Sequence, residues 1–251
     1  QSDREKRDLI DSLAPSVFKI TLEQAIELQL VSDFEVYVMK FDLDDTDPYV
    51  VGGTKKKPFF TTELKQYQRL TKGLQRATFT NSPAKFYWIQ KRMAFLYSLR
   101  QKERLAREIM DQVLTEKGVV KRTLIFCGGI EQANKLCGDW VYHSKVSDHA
   151  LSLFQAEKIP YLGACSALDE GKNINNLDQI LAIQLNSKEL SIVQRIGRSI
   201  RFRPGHLARI IVLVARKTVD EKWYKSAFEN FDKKRIKEHY VKVTKSVAAA
   251  T

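Results

Sequence analysis

The sequence is poor in cysteine, and its three cysteines are not arranged as disulfide partners or zinc ligands. Cys127, Cys137 and Cys165 lie in or beside apolar segments, and no two of them have C-x-x-C spacing. Disulfide scaffolds are rich in cysteine, and zinc sites use closely spaced cysteine pairs. We therefore expect reduced, structural thiols, no metal site, and an intracellular location, in the cytoplasm or nucleoid or in a nucleus.

Long apolar runs are also missing. No segment approaches the roughly 20 apolar residues that a membrane-spanning helix needs, and no signal-peptide pattern is recognisable in these residues. We therefore expect no membrane-spanning helix in these residues and no membrane partner.

Positive charge, by contrast, is in strong excess. The chain has 42 Lys and Arg against 30 Asp and Glu, which gives a formal net charge of +12 and a pI of about 9.5. Residues 55–121 carry 16 basic and only 5 acidic residues, whereas residues 1–54 are acidic. This balance favours a polyanionic partner, and nucleic acid is a better candidate than a membrane surface.

The hydrophobic pattern predicts an α/β fold. Short apolar runs predict strands at 34–41, 123–127, 159–165, 179–184 and 207–215. Helices are predicted between them, and the alternation indicates a parallel sheet with helices on both faces. Residues 42–58 are predicted to be a loop, whose acidic run lacks the His or Glu that would complete a metal-ligand set.

Residues 61–117 have helical periodicity, with Ser82-Pro83 as a helix start. Phe86 and Phe95 are expected to pack in the core of this helical segment rather than to stack on bases. Nearby cations, Lys91 and Arg92 among them, are interleaved with aromatic residues. Because single strands are held by cations and rings together, both residues are candidates for nucleic-acid contact.

Residues Gln194 to Arg201, with the sequence QRIGRSIR, are the centre of the functional interpretation. In a helix, Gln194, Arg198 and Arg201 would share one face, and paired guanidinium groups match phosphate oxygens. The same segment can also be interpreted as a basic surface helix that packs on its isoleucines. The two interpretations use different helix faces and are compatible.

The order of three motifs resembles superfamily 2 helicases. QRIGRSIR is similar to their motif VI, Arg122–Gly129 followed by Glu131–Ala133 is similar to motif IV, and Leu168–Ile174 is similar to motif V. The resemblance implies a second RecA-like domain, divided as 1–54 for its start, 55–120 for a basic, mainly helical insertion, 121–235 for the core with motifs IV–VI, and 236–251 for a C-terminal tail.

The resemblance also implies roles for individual residues. Arg198 and Arg201 would be arginine fingers, and the nucleotide would be contacted by Gln194, Asp169, Gly171 and Asn173. The strand backbone would be contacted by Cys127, Gly128, Gly129, His143, Ser144, Lys145 and Ser166. Two positions depart from the family pattern: Cys165 stands where Thr is usual, so Ser166 is expected to supply the hydroxyl, and Asn173 stands where Asp is common, so it keeps an acceptor but loses charge.

A phosphate loop G-x-x-x-x-G-K-[ST] and an Asp-Glu box are both missing from these residues. In the family, the first RecA-like domain supplies the phosphate loop and the magnesium carboxylates. We therefore expect the chain to hydrolyse ATP with Mg²⁺ only when joined to a first RecA-like domain, and to be inactive alone. DNA, as a single strand or fork, is the expected track, with RNA as an alternative. A binding module that does not turn over ATP, or the translocase part of a restriction or defence nuclease, are the other hypotheses.

Overall fold

The computed structural model describes residues 12, 22–54, 57–115, 121–165, 174, 176–185, 204–229 and 231–242. Its helices are α1 (Leu22–Glu27), α2 (Glu63–Phe79), α3 (Ala84–Tyr97), α4 (Arg100–Thr115), α5 (Ile130–Cys137), α6 (His149–Gln155) and α7 (Val219–Ala227), with a 3-10 turn at Lys233–Arg235. Its strands are β1 (Asp33–Phe41), β2 (Tyr49–Thr54), β3 (Lys57–Thr61), β4 (Thr123–Phe126), β5 (Val141–Tyr142), β6 (Tyr161–Ala164), β7 (Gln179–Ala182), β8 (Leu207–Ala215) and β9 (Ile236–Tyr240).

Seven strands of the described chain form one sheet in the order β5-β6-β4-β7-β8-β1-β9. Every neighbouring pair in it is parallel. The longest pairing joins β1 to β8, from Asp33 opposite Leu207 to Phe41 opposite Ala215. The predicted parallel α/β sheet is therefore confirmed, and all of its strands end at a common carboxyl edge.

Apolar side chains cover both faces of this sheet, as parallel strands require. Ile125, Leu181 and Leu213 point to one face, where they meet α4, α5 and the ends of α2 and α3. Leu124 and Ile180 point to the other face and pack with α6, while the β1 and β8 side chains on that face pack with α7. Successive strand residues thus alternate between two cores, so helices flank the sheet on both sides.

The helices α2 and α3 form an antiparallel hairpin that is anchored in the core at one end. Thr62 caps α2 by accepting a hydrogen bond from the Lys65 N–H at 3.3 Å. Phe95, near the end of α3, is buried in the core as predicted. The prediction that Phe86 packs there was wrong, since its side chain is 66% exposed. Phe86 lies in the first turn of α3, which is far along the helix from the anchored end.

Two segments have more structure than the sequence pattern predicted. The predicted loop at 42–58 contains β2 and the first residues of β3, which pair as an antiparallel ribbon with an irregularity between Val50 and Gly52. Residues 236–240, predicted to lie in a C-terminal tail, form β9 and pair with β1. Strand β9 gains its order from β1, which lies far away in the chain, and local propensity does not report such a partner, whereas β2 and β3 are consecutive strands that pair with each other.

Candidate functional site at the carboxyl edge of the sheet

The loops that leave the carboxyl ends of the strands hold most of the predicted site residues that the structure describes. In open parallel sheets ligands bind along this edge. Cys127–Gly129 follows β4, His143–Lys145 follows β5, and Cys165 follows β6. The topology therefore brings these sequence-predicted residues to one edge of the sheet, which we take as the candidate site.

The turn after β4 is held by contacts within the protein. The Cys127 N–H donates to the Ala164 carbonyl at 2.9 Å, and its side chain is 5% exposed. The Gly128 N–H donates to Gln132 Oε1 at 2.8 Å, and Gln132 Nε2 donates to the Tyr97 carbonyl at 2.7 Å. A Cβ atom on Gly128 would lie only 2.7 Å from the Tyr97 ring. Close packing against α3 therefore explains why glycine is needed at position 128.

Gly129 differs from Gly128 because the described residues leave the space beside its Cα atom unoccupied. A Cβ atom placed on Gly129 would meet no described atom within 4 Å. Gly129 precedes the first residue of α5 and provides no side-chain cap. The first N–H groups of a helix have no partner within the helix and attract anions. Within this turn, Gly129 is the residue best placed to meet a phosphate.

The three predicted residues in the turn after β5, His143, Ser144 and Lys145, differ in their exposure to solvent. His143 is 4% exposed, and its Nδ1 accepts a hydrogen bond from the Lys145 N–H at 3.2 Å. Its carbonyl accepts from the Val146 N–H at 3.1 Å, which closes a compact turn. Ser144 and Lys145 are exposed. His143 thus shapes the turn, and the two residues after it face solvent.

Lys91 and Arg92 are on α3 and not on the edge loops. Lys91 is exposed, with its Nζ 5.6 Å from the centre of the Tyr87 ring. Arg92 is half-buried. The remaining predicted site residues lie outside the described residues, namely Ser166, Asp169, Gly171, Asn173, Gln194, Arg198 and Arg201.

A buried polar cluster at this edge was not predicted from the sequence. Lys102 and Asp220 are fully buried, with Lys102 Nζ 2.5 Å from Asp220 Oδ2. Lys102 also donates to Gln184 Oε1 at 2.5 Å, and Gln184 Nε2 donates to Asp220 Oδ1 at 3.0 Å. Burial lowers the pKa of the Lys102 ammonium, while the Asp220 carboxylate opposes that shift.

This cluster joins three elements. Lys102 is in the first turn of α4, Gln184 follows β7, and Asp220 is in the first turn of α7. The start of α4 is therefore fixed near the ends of the central strands β7 and β8 by charge and hydrogen bonds. Lys102 is one of many basic residues in its segment, so no sequence signal distinguished it.

Glu63 makes a second connection of the same kind. It is 1% exposed and accepts hydrogen bonds from the Asp44 N–H at 3.3 Å and the Arg100 N–H at 3.0 Å. Burial raises the pKa of the Glu63 carboxyl, and the two N–H donors act in the opposite direction. Glu63 thus ties the start of α2 to the loop after β1 and to the start of α4.

The described ranges contain no group of three or more His, Cys, Asp or Glu side chains that could hold a metal ion. In the same ranges, no helix has the length and apolar character to cross a membrane.

Comparison with known proteins finds a family that matches part of the chain. Residues 101–203 match the family described as Helicase conserved C-terminal domain. No curated protein gives a significant match.

Several solved structures are similar to this chain at low sequence identity. The ATP-dependent Type ISP restriction-modification enzyme LlaBIII bound to DNA is 14% identical, covers 92% of this chain and 17% of its own, and has a TM-score of 0.52. A Dbp5 variant from S. cerevisiae bound to a Gle1 variant and IP6 is also 14% identical, with 98% and 49% covered and a TM-score of 0.51. A DEAD box protein from Methanococcus jannaschii is 21% identical, with 55% and 39% covered and a TM-score of 0.44.

This chain spans less than half of the length of each of those three chains. The parallel sheet with helices on both faces is the RecA-like α/β fold. Residues 101–203 of this chain are similar to the helicase conserved C-terminal domain.

Proposed function

We propose that this chain is the second motor domain of an ATP-dependent helicase or translocase that moves along a nucleic-acid strand, with DNA as the first candidate track. ATP is the substrate, and it binds between this domain and a first RecA-like domain. Arg198 and Arg201 stabilise the charge that develops on the transferred phosphoryl group. Gln194 contacts the nucleotide, together with Asp169, Gly171 and Asn173 of motif V.

The observation that carries this proposal is the sequence QRIGRSIR at 194–201, inside the matched helicase segment. Leu185, where the described chain stops before this motif, lies beyond the carboxyl end of β7 in the middle of the sheet. A binding module without turnover has no need of two arginines in this pattern. We therefore place ATP hydrolysis ahead of a purely structural role.

Magnesium ligands are proposed to come from the first RecA-like domain, whose carboxylates would hold the ion beside the phosphates. With that ion bound, charge on the phosphate oxygens is neutralised. Without the first domain, we expect this chain to bind a strand but not to hydrolyse ATP.

We propose that the strand backbone is bound at Gly129, Ser144 and Lys145, with Ser166 from motif V. The Cys127 and Gly128 N–H groups already donate within the protein, so the open Gly129 is the better phosphate contact in that turn. Lys145 adds charge, and His143 fixes the turn that presents it. Closure of the two domains on ATP, and their reopening after hydrolysis, would shift these contacts along the strand.

The test is strand-stimulated ATP hydrolysis by this chain joined to a first RecA-like domain. Arg201→Ala is expected to reduce turnover at least about 1,000-fold, the scale of a lost arginine finger, while strand affinity stays nearly constant. Arg195→Ala is the matched control in the same motif and should retain most of the turnover. Unchanged turnover in Arg201→Ala would refute the finger assignment.

The same preparation distinguishes the alternatives. Strand binding without any hydrolysis by the joined protein would favour a binding module. Phosphate contacts rarely distinguish RNA from DNA, so binding is measured with both kinds of strand. If RNA binds more tightly than DNA and stimulates ATP hydrolysis more strongly, RNA would replace DNA as the proposed track.

A further inference from the structure

The hairpin of α2 and α3 carries an open groove of about 620 Å³ outside the edge loops. One wall is α2, and the other is formed by Ala84 and Trp88 of α3. Thr80 and Ser82 line the groove where the two helices are connected. The groove therefore combines polar, charged and aromatic surface on the helical insertion.

Four cations of α2 line this groove and form a single row. The basic row consists of Lys65, Arg69, Lys72 and Arg76. Their spacing of four, three and four residues puts them on one helix face, over about 16 Å of helix axis. All four side chains are exposed. The row is long enough to face several consecutive phosphates of one strand.

The surroundings of the basic row leave its charge uncompensated. From Leu64 to Leu99 the sequence contains seven Lys and Arg residues and no Asp or Glu. In the part of the chain that the structure describes, no carboxylate forms an ion pair with the row. Arg69 instead lies over the Phe59 ring at 4.9 Å.

The fold does not require this row. The buried residues of α2 are Glu63, Tyr67, Leu70 and Ala77, which lie on a different face of the helix. Exposed surface positions of this kind contribute little to stability and tolerate substitution. A row of like charges on a helix is unfavourable by itself. A bound anion would offset that repulsion.

Trp88 gives the groove a second kind of contact. A Cβ atom on Gly73 would lie 2.6 Å from the Trp88 ring, so glycine lets this ring pack closely against α2. The ring is half-buried and lines the groove opposite the basic row. Single strands expose base faces that stack on such rings, whereas the bases of a duplex are already stacked on one another.

We propose that this groove is a second strand-binding site, in which the basic row holds the phosphates of single-stranded nucleic acid and Trp88 contacts a base. The proposal rests on the proposed function because it takes the strand of the motor as the ligand. It adds a site on the insertion, where the strand is held apart from the moving contacts of the edge loops. Such a site would keep hold of the strand while the motor domains open.

The test uses the 251-residue chain and a fluorescein-labelled oligothymidylate of about 20 nucleotides, a length above the site sizes of typical single-strand modules. Anisotropy is measured across a salt series for the natural chain and for the charge reversal Lys72→Glu/Arg76→Glu. The matched control is Lys222→Glu/Lys225→Glu, which makes the same charge change at exposed positions of α7. A duplex of the same length is measured in parallel.

The groove variant is expected to bind oligothymidylate at least about tenfold more weakly, and the slope of log affinity against log salt should fall by about 1.4, for two lost single-strand contacts. The control should change much less. Equal losses in the two variants, no binding by the natural chain, or a larger loss for duplex than for single strand would each overturn the proposal. Hydrolysis by the joined two-domain protein tests the proposed function separately, so the two failures are distinguishable.

The fluorescence of Trp88 provides an independent measurement of binding at the same site. In a Trp140→Phe/Trp223→Phe chain, Trp88 is the remaining tryptophan. Oligothymidylate is expected to quench its fluorescence, and Lys72→Glu/Arg76→Glu in that background should abolish the quenching at the same concentration. Fluorescence that stays constant while the strand is bound would remove the base contact from the proposal.

Discussion

Lys102 and Asp220 face each other at 2.5 Å with both side chains fully removed from solvent. They connect α4 to α7, which follows β8. Gln184, at the end of β7, bonds to both partners. Helix α4 is therefore attached to the sheet at a buried, fully polar point, in addition to the bond that Glu63 makes to its start, and hydrophobic contacts surround it.

Replacing Lys102 with Met should strongly destabilise the protein. The change leaves the Asp220 carboxylate buried without its cation, which costs about 3–5 kcal/mol of unfolding free energy. Urea denaturation followed by circular dichroism measures this loss. Lys222→Met, at an exposed position of α7, should stay within about 0.5 kcal/mol. A loss below about 1 kcal/mol for Lys102→Met would contradict the buried pair.

Gly128→Ala should destabilise the protein through a single contact. The added Cβ atom would lie 2.7 Å from the Tyr97 ring, an overlap expected to cost about 1–3 kcal/mol. In a Tyr97→Ala background the same glycine change should cost less, because the ring is gone and only the Cβ atom of residue 97, 3.0 Å away, remains close. A thermal or urea double-mutant cycle compares the two. Equal costs in both backgrounds would show that the glycine serves another purpose.

Acid should weaken the attachment of β9 to β1. Glu35 of β1 accepts a hydrogen bond from Lys237 of β9 at 2.5 Å, and this bond, with a second from Tyr37, lowers the pKa of Glu35 below its ordinary 4.5. A lowered folded-state pKa contributes stability that is complete above the ordinary value and is lost as the pH falls through the lowered one.

We therefore expect the natural chain to be more stable than Glu35→Gln at neutral pH, with the difference vanishing as the pH falls below the lowered pKa of Glu35. Midpoints of thermal unfolding at a series of pH values measure this. A difference that grows on acidification would have the wrong sign for the Glu35–Lys237 bond.

Lys145→Ala should weaken strand binding without affecting the fold. Lys145 is exposed beside the buried His143 at the carboxyl edge, so its loss should reduce affinity severalfold and lower the salt slope by about 0.7 for one single-strand phosphate contact. Lys158 is the control, since it is exposed and precedes β6 at the opposite edge of the sheet. Equal effects of the two alanine variants would remove Lys145 from the proposed strand contacts.

Much of the sheet could be predicted from the sequence. The run at 207–215 matches β8 residue for residue, and the run at 123–127 contains β4. These strands are buried on both faces, so nearly every residue in them is apolar, and the signal is local. The edge strand β9 lacks that signal, because its sequence IKEHY faces solvent and depends on the partner strand β1.

The candidate site could be predicted only in part. Motif order singled out residues in the loops after β4 and β5, and the sheet topology then placed those loops at the carboxyl edge. Which residues of those loops are accessible to a ligand was known only from their burial in the structure. Gly128 packs against Tyr97 and His143 is buried, whereas Gly129 and Lys145 remain accessible.

By itself the sequence determined the resemblance to a helicase family, the alternation of buried strands with helices, and the basic character of residues 55–121, because motif spacing, apolar periodicity and charge are properties of neighbouring residues. Only the tertiary structure decided which of these residues meet. Lys102 pairs with Asp220 and donates a hydrogen bond to Gln184. Glu63 accepts hydrogen bonds from the Asp44 and Arg100 N–H groups. Four cations of α2 line one groove together with Trp88. Those contacts join residues far apart in the chain, and their energies depend on burial and distance, which exist only once the chain has folded.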